Sequence, residues 1–169
     1  METWDAITSR RNVRSFADRP VPPADLDQIL EAGRRAPSSR NWQPWDFILV
    51  TDRDQLRDLA RVGPGAGHVA GAAAAIVVIG PAGDNPFRRA QFDLGQAVMA
   101  IILAAAGLGV GSSHAGVGDL ALARRLLGFP EDRDWAFLVS LGYPADRPLA
   151  PVRHPDRRPF DEVVHRGRW

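Results

Sequence analysis

An α+β fold is what the sequence predicts, on three observations. Segments with helical apolar spacing alternate with short continuous apolar runs, so helices and strands interleave around one core. The 169 residues, 45% of them hydrophobic, suffice for a sizeable core without crosslinks. No internal repeat, low-complexity tract or interdomain linker interrupts the pattern, and residues 1–169 are expected to form a single domain.

From the N-terminus, Trp4, Ala6 and Ile7 fit one face of a short helix over residues 3–9. The basic run Arg10-Arg11-Asn12-Val13-Arg14 follows, and Phe16 anchors it in the core. Three arginines in five residues can wrap an anion such as phosphate, though taken alone a solvated basic run is the ordinary reading. After a proline-stiffened connector, Pro23 opens a second helix that carries Leu26, Ile29, Leu30 and Gly33 up to Arg35. Pro37 and Pro44 then bracket a turn containing Ser38, Ser39, Asn41 and Gln43, whose polar groups can cap the loop or bind a ligand.

Residues 45–51 read as a first strand, and their continuous apolar run predicts a central, buried position. An amphipathic helix over 53–62 ends in Gly63-Pro64-Gly65-Ala66-Gly67-His68. No strand leads into these glycines and no lysine follows, so they predict a flexible connector rather than a P-loop. His68 is given no role, since a lone histidine in a glycine loop is usually neither ligand nor acid. Residues 72–79 form a second strand. A long helix over 87–108 carries apolar residues on too broad a face for one solvent-exposed side. Its Arg88, Arg89, Gln91, Asp93 and Gln96 argue against a membrane span, so it is expected to be a core helix that also meets a partner subunit. Gly107 and Gly109 end it. The small residues of 110–116 let backbone approach a flat ligand, Asp119 caps a helix over 120–127, and 136–141 forms a third buried strand. The proline-rich, basic tail 147–169 needs another surface to lie on.

Charge and composition exclude several chemistries. The chain has no cysteine, so disulfides, thiolate nucleophiles and Cys-type zinc sites are absent, and a cytoplasmic location is the simplest expectation. The acidic, polar start lacks the signature of a signal peptide. All 21 basic residues are arginine, which removes Schiff-base and P-loop lysines while leaving rigid forks suited to phosphate and carboxylate. A net charge of +1 without aromatic-interleaved basic patches argues against nucleic-acid binding.

In register along almost the whole chain, five motifs resemble the nitroreductase superfamily of flavin mononucleotide (FMN) enzymes. They are Arg-Arg-x-x-Arg-x-Phe at Arg10, Arg11, Arg14 and Phe16; Ala-Pro-Ser-Ser-x-Asn-x-Gln-Pro-Trp from Ala36 to Trp45; Gly107-Leu108-Gly109; Leu141-Gly142-Tyr143-Pro144; and an Arg-x-Pro tail from Arg157 to Pro159. The resemblance implies a three-layer fold with a central, mostly antiparallel sheet flanked by helices, in a homodimer whose C-terminal tail extends onto the partner. It implies that Arg10, Arg14 and Arg157 hold the FMN phosphate and ring edge, with Arg158 beside them, and that Arg11 and Asn12 meet the ribityl chain or phosphate. Pro37, Ser38, Ser39, Asn41 and Gln43 would reach the flavin bound mainly by the other subunit, and Ser112, Ser113 and His114 would lie beside the isoalloxazine. No metal and no catalytic side chain is implied: hydride passes from NAD(P)H through the flavin to a nitroaromatic, quinone or related small-molecule acceptor. A flavin- or deazaflavin-binding module with little turnover is the alternative. The chain departs from the family at 80–92, which is short, and at Gly65 to Ala70, where members often carry Asn and Lys.

Overall fold

The computed structural model describes residues 2–82 and 84–169, with the side chains of 84–89, 135 and 136 outside the description. Its elements follow the order α1 (Thr3–Ser9), α2 (Pro23–Arg34), β1 (Asp46–Val50), α3 (Arg53–Leu59), β2 (Ala74–Pro81), α4 (Asp84–Gly107), β3 (Gly111–Gly116), α5 (Leu120–Leu127), β4 (Arg133–Gly142) and α6 (Phe160–Val163). The sheet has four strands in the order β1-β2-β4-β3, every neighbouring pair antiparallel.

Period-two alternation along β2 explains the three layers. Ala74, Ile76 and Val78 face one core, shared with Leu26 and Ile29 of α2 and with Leu94, Ala97 and Ile101 of α4. Ala75, Val77 and Ile79 face a second core with Leu56 and Leu59 of α3 and Ala123 of α5. A strand covered on both faces needs apolar residues at every position, which is why β2 reads as one unbroken run. Helix α4 ends in a Schellman motif: Gly109 at φ 73° supplies the left-handed residue, and the Val110 N–H reaches the Ala105 carbonyl at 2.9 Å. Its 90–107 stretch is long and apolar enough to cross a membrane by composition, yet half of it is buried within the fold. The charged positions Arg88 and Arg89 fall outside the described side chains.

Three expectations are corrected. Strand β1 is not central but an edge strand with Leu49 exposed. Its apolar run reflects two covered faces, Phe47 toward one core and Ile48 and Val50 toward the other, and covered faces do not require neighbours on both edges. Residues 110–116 contain a fourth strand, β3, which their glycine and serine content conceals. The supposed flexible connector turns into a 3-10 helix, Gly67–Gly71, with Ala66 and Val69 fully buried against the second core.

What makes β3 a strand is a patch without β-carbons. Gly111 and Gly142 pair directly across β3 and β4, so both lack a side chain on the same face. A Cβ on Gly111 would stand 2.7 Å from Val13 Cγ2, and one on Gly142 would stand 2.8 Å from the Phe16 ring. The chain segment between α1 and α2 lies against that patch: Asn12 bridges Ser112 in parallel and Phe16 bridges Pro144. Because the Val13 atoms facing Gly111 belong to a β-branched, buried side chain, they cannot swing away. Gly111→Ala is therefore expected to destabilise the protein by about 1–3 kcal/mol, the cost of overpacking, read as a lower urea midpoint at unchanged slope.

Candidate functional site

Helix α1 stops at Ser9, and Arg10 leaves it with extended backbone at φ −65°, ψ 132°. The Val13 N–H then donates to the Ser112 carbonyl at 2.9 Å, which fixes residues 10–14 beside the start of β3. Val13 points into the protein, and its neighbours Asn12 and Arg14 are exposed. The arginines of this run differ in commitment. Arg11 donates to Asp146 Oδ1 at 2.6 Å and to the Arg147 carbonyl at 2.9 Å, and its hydrogen bond holds the Asp146 carboxyl below the usual carboxylate range. Arg10 and Arg14 make no hydrogen bond or ion pair among the described residues, so their guanidinium groups are available to an anion.

Behind this run, β3 and β4 bring polar groups into the interior. Ser112, Ser113 and Ser140 are all buried, while His114 is exposed. The Ser140 hydroxyl donates to the Ser113 carbonyl at 3.2 Å, and His68 Nδ1 lies 2.8 Å from the same oxygen. The Ser140 hydroxyl thus links the His68 ring to β3, and the direction of the His68–Ser140 bond follows the histidine tautomer. Both His68 Nε2 and Ser113 Oγ are buried without a partner. Burial holds the His68 pKa below the ordinary histidine value, and the positive charge of Arg14, with the nearby His114 ring, pushes it in the same direction. The site therefore holds a neutral histidine ring with one unpartnered nitrogen and an unpartnered Ser113 hydroxyl, both connected through Ser140. Sequence reasoning passed it over because its spacing carries no motif; only the 3-10 helix before β2 puts it against β4.

The turn at 37–43 stands apart from this cluster. Arg40, Asn41 and Gln43 adopt φ values of 53°, 56° and 52°. Asn tolerates this region, but for arginine and glutamine it costs about 1–3 kcal/mol each. Within the turn, Ser38 Oγ accepts the Gln43 N–H at 2.9 Å. Ser39 and Asn41 are exposed. No hydrogen bond or ion pair among the described residues joins the turn to residues 10–14 or 112–114. Among the described residues the tail is tied to the run only at its start, where Arg11 reaches the Arg147 carbonyl; farther along, Arg157 donates to the Asp156 carbonyl and Arg158 pairs with Glu162. Residues 10–14, 112–114 and His68 are therefore brought together within one chain, whereas 37–43 and Arg157 and Arg158 are not brought to that cluster.

The depressed basicity of His68 sets a pH dependence. An unfolded histidine takes up its proton near pH 6.5, and native His68 does so only at lower pH. Between those values the unfolded chain binds more protons, so stability is full above about pH 6.5 and falls as the pH drops. Urea denaturation between roughly pH 7 and pH 5 should show a loss of stability in the wild type that is smaller in His68→Gln. Parallel profiles would mean that the native environment leaves His68 titrating as in the unfolded chain.

The sequence profile of the Nitroreductase family matches residues 7–63 and 62–143. An Archaeoglobus fulgidus protein assigned as an NADH dehydrogenase/NAD(P)H nitroreductase is 36% identical over 174 residues, spanning 99% of each chain. Among solved structures, an FMN-dependent nitroreductase from Clostridium difficile is similar with a TM-score of 0.83 and 26% identity, over 97% of this chain and 98% of its own. The NADPH:FMN oxidoreductase of Vibrio harveyi, complexed with NAD+, gives 0.84 at 25% identity over 97% of this chain and 76% of its own. With the profile spanning most of its length and a relative matched end to end, the chain belongs to the nitroreductase family.

Proposed function

We propose that this chain, as one FMN-binding domain over residues 1–169, is an NAD(P)H-dependent flavin oxidoreductase that reduces nitroaromatic, quinone or related small acceptors in the cytoplasm. The observation that carries the reading is that the run bearing two uncommitted arginines, Arg10 and Arg14, is pinned by its backbone to Ser112 at the start of β3, next to Ser113, whose buried hydroxyl lacks a partner, as does the buried Nε2 of His68 linked to it through Ser140. That donor set fits FMN, which joins a dianionic phosphate to a ring edge offering both hydrogen-bond donors and acceptors. Arg10 and Arg14 would hold charge, and Ser113 and His68 would meet ring polar groups. When bound, FMN supplies the two-electron redox chemistry between nicotinamide and acceptor. The chain's own task is to bind and orient the ring, and the positive charge of Arg14 would stabilise negative charge on it.

The reading includes a homodimer. Phe92 on α4 and Trp4 on α1 are 73% and 71% exposed, far more than isolated apolar side chains need. Residues 151–169 are exposed throughout, including Phe160, Val163 and Trp169. A second copy would cover both features, and the partner's 37–43 turn and Arg157 and Arg158 would complete the site that one chain leaves partial.

The purified, desalted protein should show flavin absorbance bands after soaking in FMN and should consume NAD(P)H when a quinone is added. Arg10→Ala and Arg157→Ala should each weaken FMN about tenfold or more, the equivalent of one charge-assisted hydrogen bond, with circular dichroism unchanged. Wild-type occupancy in both variants would make these arginines ordinary surface charges.

A further inference from the structure

Three of the backbone's left-handed residues, Arg40, Asn41 and Gln43, are crowded into one turn, and they are the non-glycine residues with positive φ among the described residues. The turn's internal bonds are local: Asn41 N–H to the Ser38 carbonyl, Trp42 N–H to the Ser39 carbonyl, and Gln43 N–H to Ser38 Oγ. None of these ties it to the body of the protein. Two bonds from α4 do. Asp93 Oδ2 accepts the Ser39 N–H at 3.1 Å, and Gln96 Nε2 donates to the Pro37 carbonyl at 3.3 Å. The pair is itself joined, Gln96 Nε2 lying 3.4 Å from Asp93 Oδ1.

Asp93 is 2% exposed, next to Leu94 of the core, and no arginine pairs with it among the described residues. A carboxylate in that position is unfavourable for packing alone, because burial of a polar group costs free energy unless its bonds are needed. Its oxygens are both used, and both act on the turn directly or through Gln96.

We propose that Asp93 and Gln96 are positioning residues, a latch on α4 that holds the 37–43 turn in its left-handed conformation and so presents Ser38, Ser39 and Asn41 to the flavin nucleotide. The identity of that ligand rests on the function proposed above; the latch itself rests on the bonds and the backbone. Unlatched, Arg40 and Gln43 relax toward ordinary backbone angles, and the ligand-competent fraction of the turn falls, lowering apparent affinity by that fraction.

Hydrogen exchange and FMN titration by flavin fluorescence, on wild type, Asp93→Ala, Asp93→Asn and Gln96→Ala, test this. In Asp93→Ala, exchange over residues 37–43 should rise at least about tenfold while β2 and β4 keep wild-type rates, and the FMN dissociation constant should rise about tenfold. Asp93→Asn, which retains an oxygen for the Ser39 N–H, should stay within about threefold of wild type on both readouts. Unchanged exchange over 37–43 in folded Asp93→Ala overturns the proposal, as does equal acceleration across turn and sheet, which would mark a general loss of stability. A loosened turn that binds FMN as tightly as wild type overturns the presenting role. If Asp93→Ala does not fold, Gln96→Ala at its half-buried site decides by the same exchange criterion. A loosened turn in a protein whose wild type binds no FMN upholds the latch and removes the flavin reading.

Discussion

The cross-strand pair Gly111 and Gly142 governs where everything functional sits. Two facing residues without β-carbons create a flat patch on the sheet, and only such a patch lets another backbone approach to hydrogen-bonding distance of β3. Val13 and Phe16 fill it from above. Once they are seated, the backbone between α1 and that patch is fixed beside β3, with the Val13 N–H donating to the Ser112 carbonyl. The basic run is thus positioned by steric vacancy at two glycines and by the pairing of Arg11 with Asp146, while Arg10 and Arg14 are left uncommitted.

Helix α4 is the second organising element, and it works on several sides at once. Leu94, Ala97 and Ile101 bind it to the sheet and to α2. Gly33 of α2 permits this closeness, since a Cβ there would meet Ile101 at 2.8 Å. On other faces the same helix carries Asp93 and Gln96 toward the 37–43 turn and Phe92 and Met99 toward solvent. A helix apolar enough to cross a membrane by composition is here explained by having almost no idle face.

Much of this was legible in the sequence, and the failures have physical causes. Helical spacing with Pro23 and Asp119 at the starts of α2 and α5 and Gly107 and Gly109 at the end of α4 placed these helices closely, because caps and periodicity are local. The position of β1 was not local: an apolar run reports covered faces, and it is silent on which edges are paired. Strand β3 was hidden because Gly111, Ser112 and Ser113 have poor strand propensity, and their extended form depends on a segment some hundred residues earlier. His68 was hidden for a related reason, its partner Ser140 being distant in sequence. The hallmark from Ala36 to Trp45 was plain as a pattern, but its left-handed backbone and its anchor on Asp93 belong to three dimensions.

The neighbourhood of His68 also ties an anion to a proton. After burial, the largest influence keeping its ring neutral is the charge of Arg14. An anion seated on Arg14 offsets that charge, so part of the penalty on protonated His68 disappears when the anion binds. Reciprocity then requires that protonating His68 strengthens the hold on the anion. Anion binding would draw protons from buffer, its apparent enthalpy would change with the buffer's own heat of ionisation, and retention of the anion would improve in mild acid even as the fold itself weakens there.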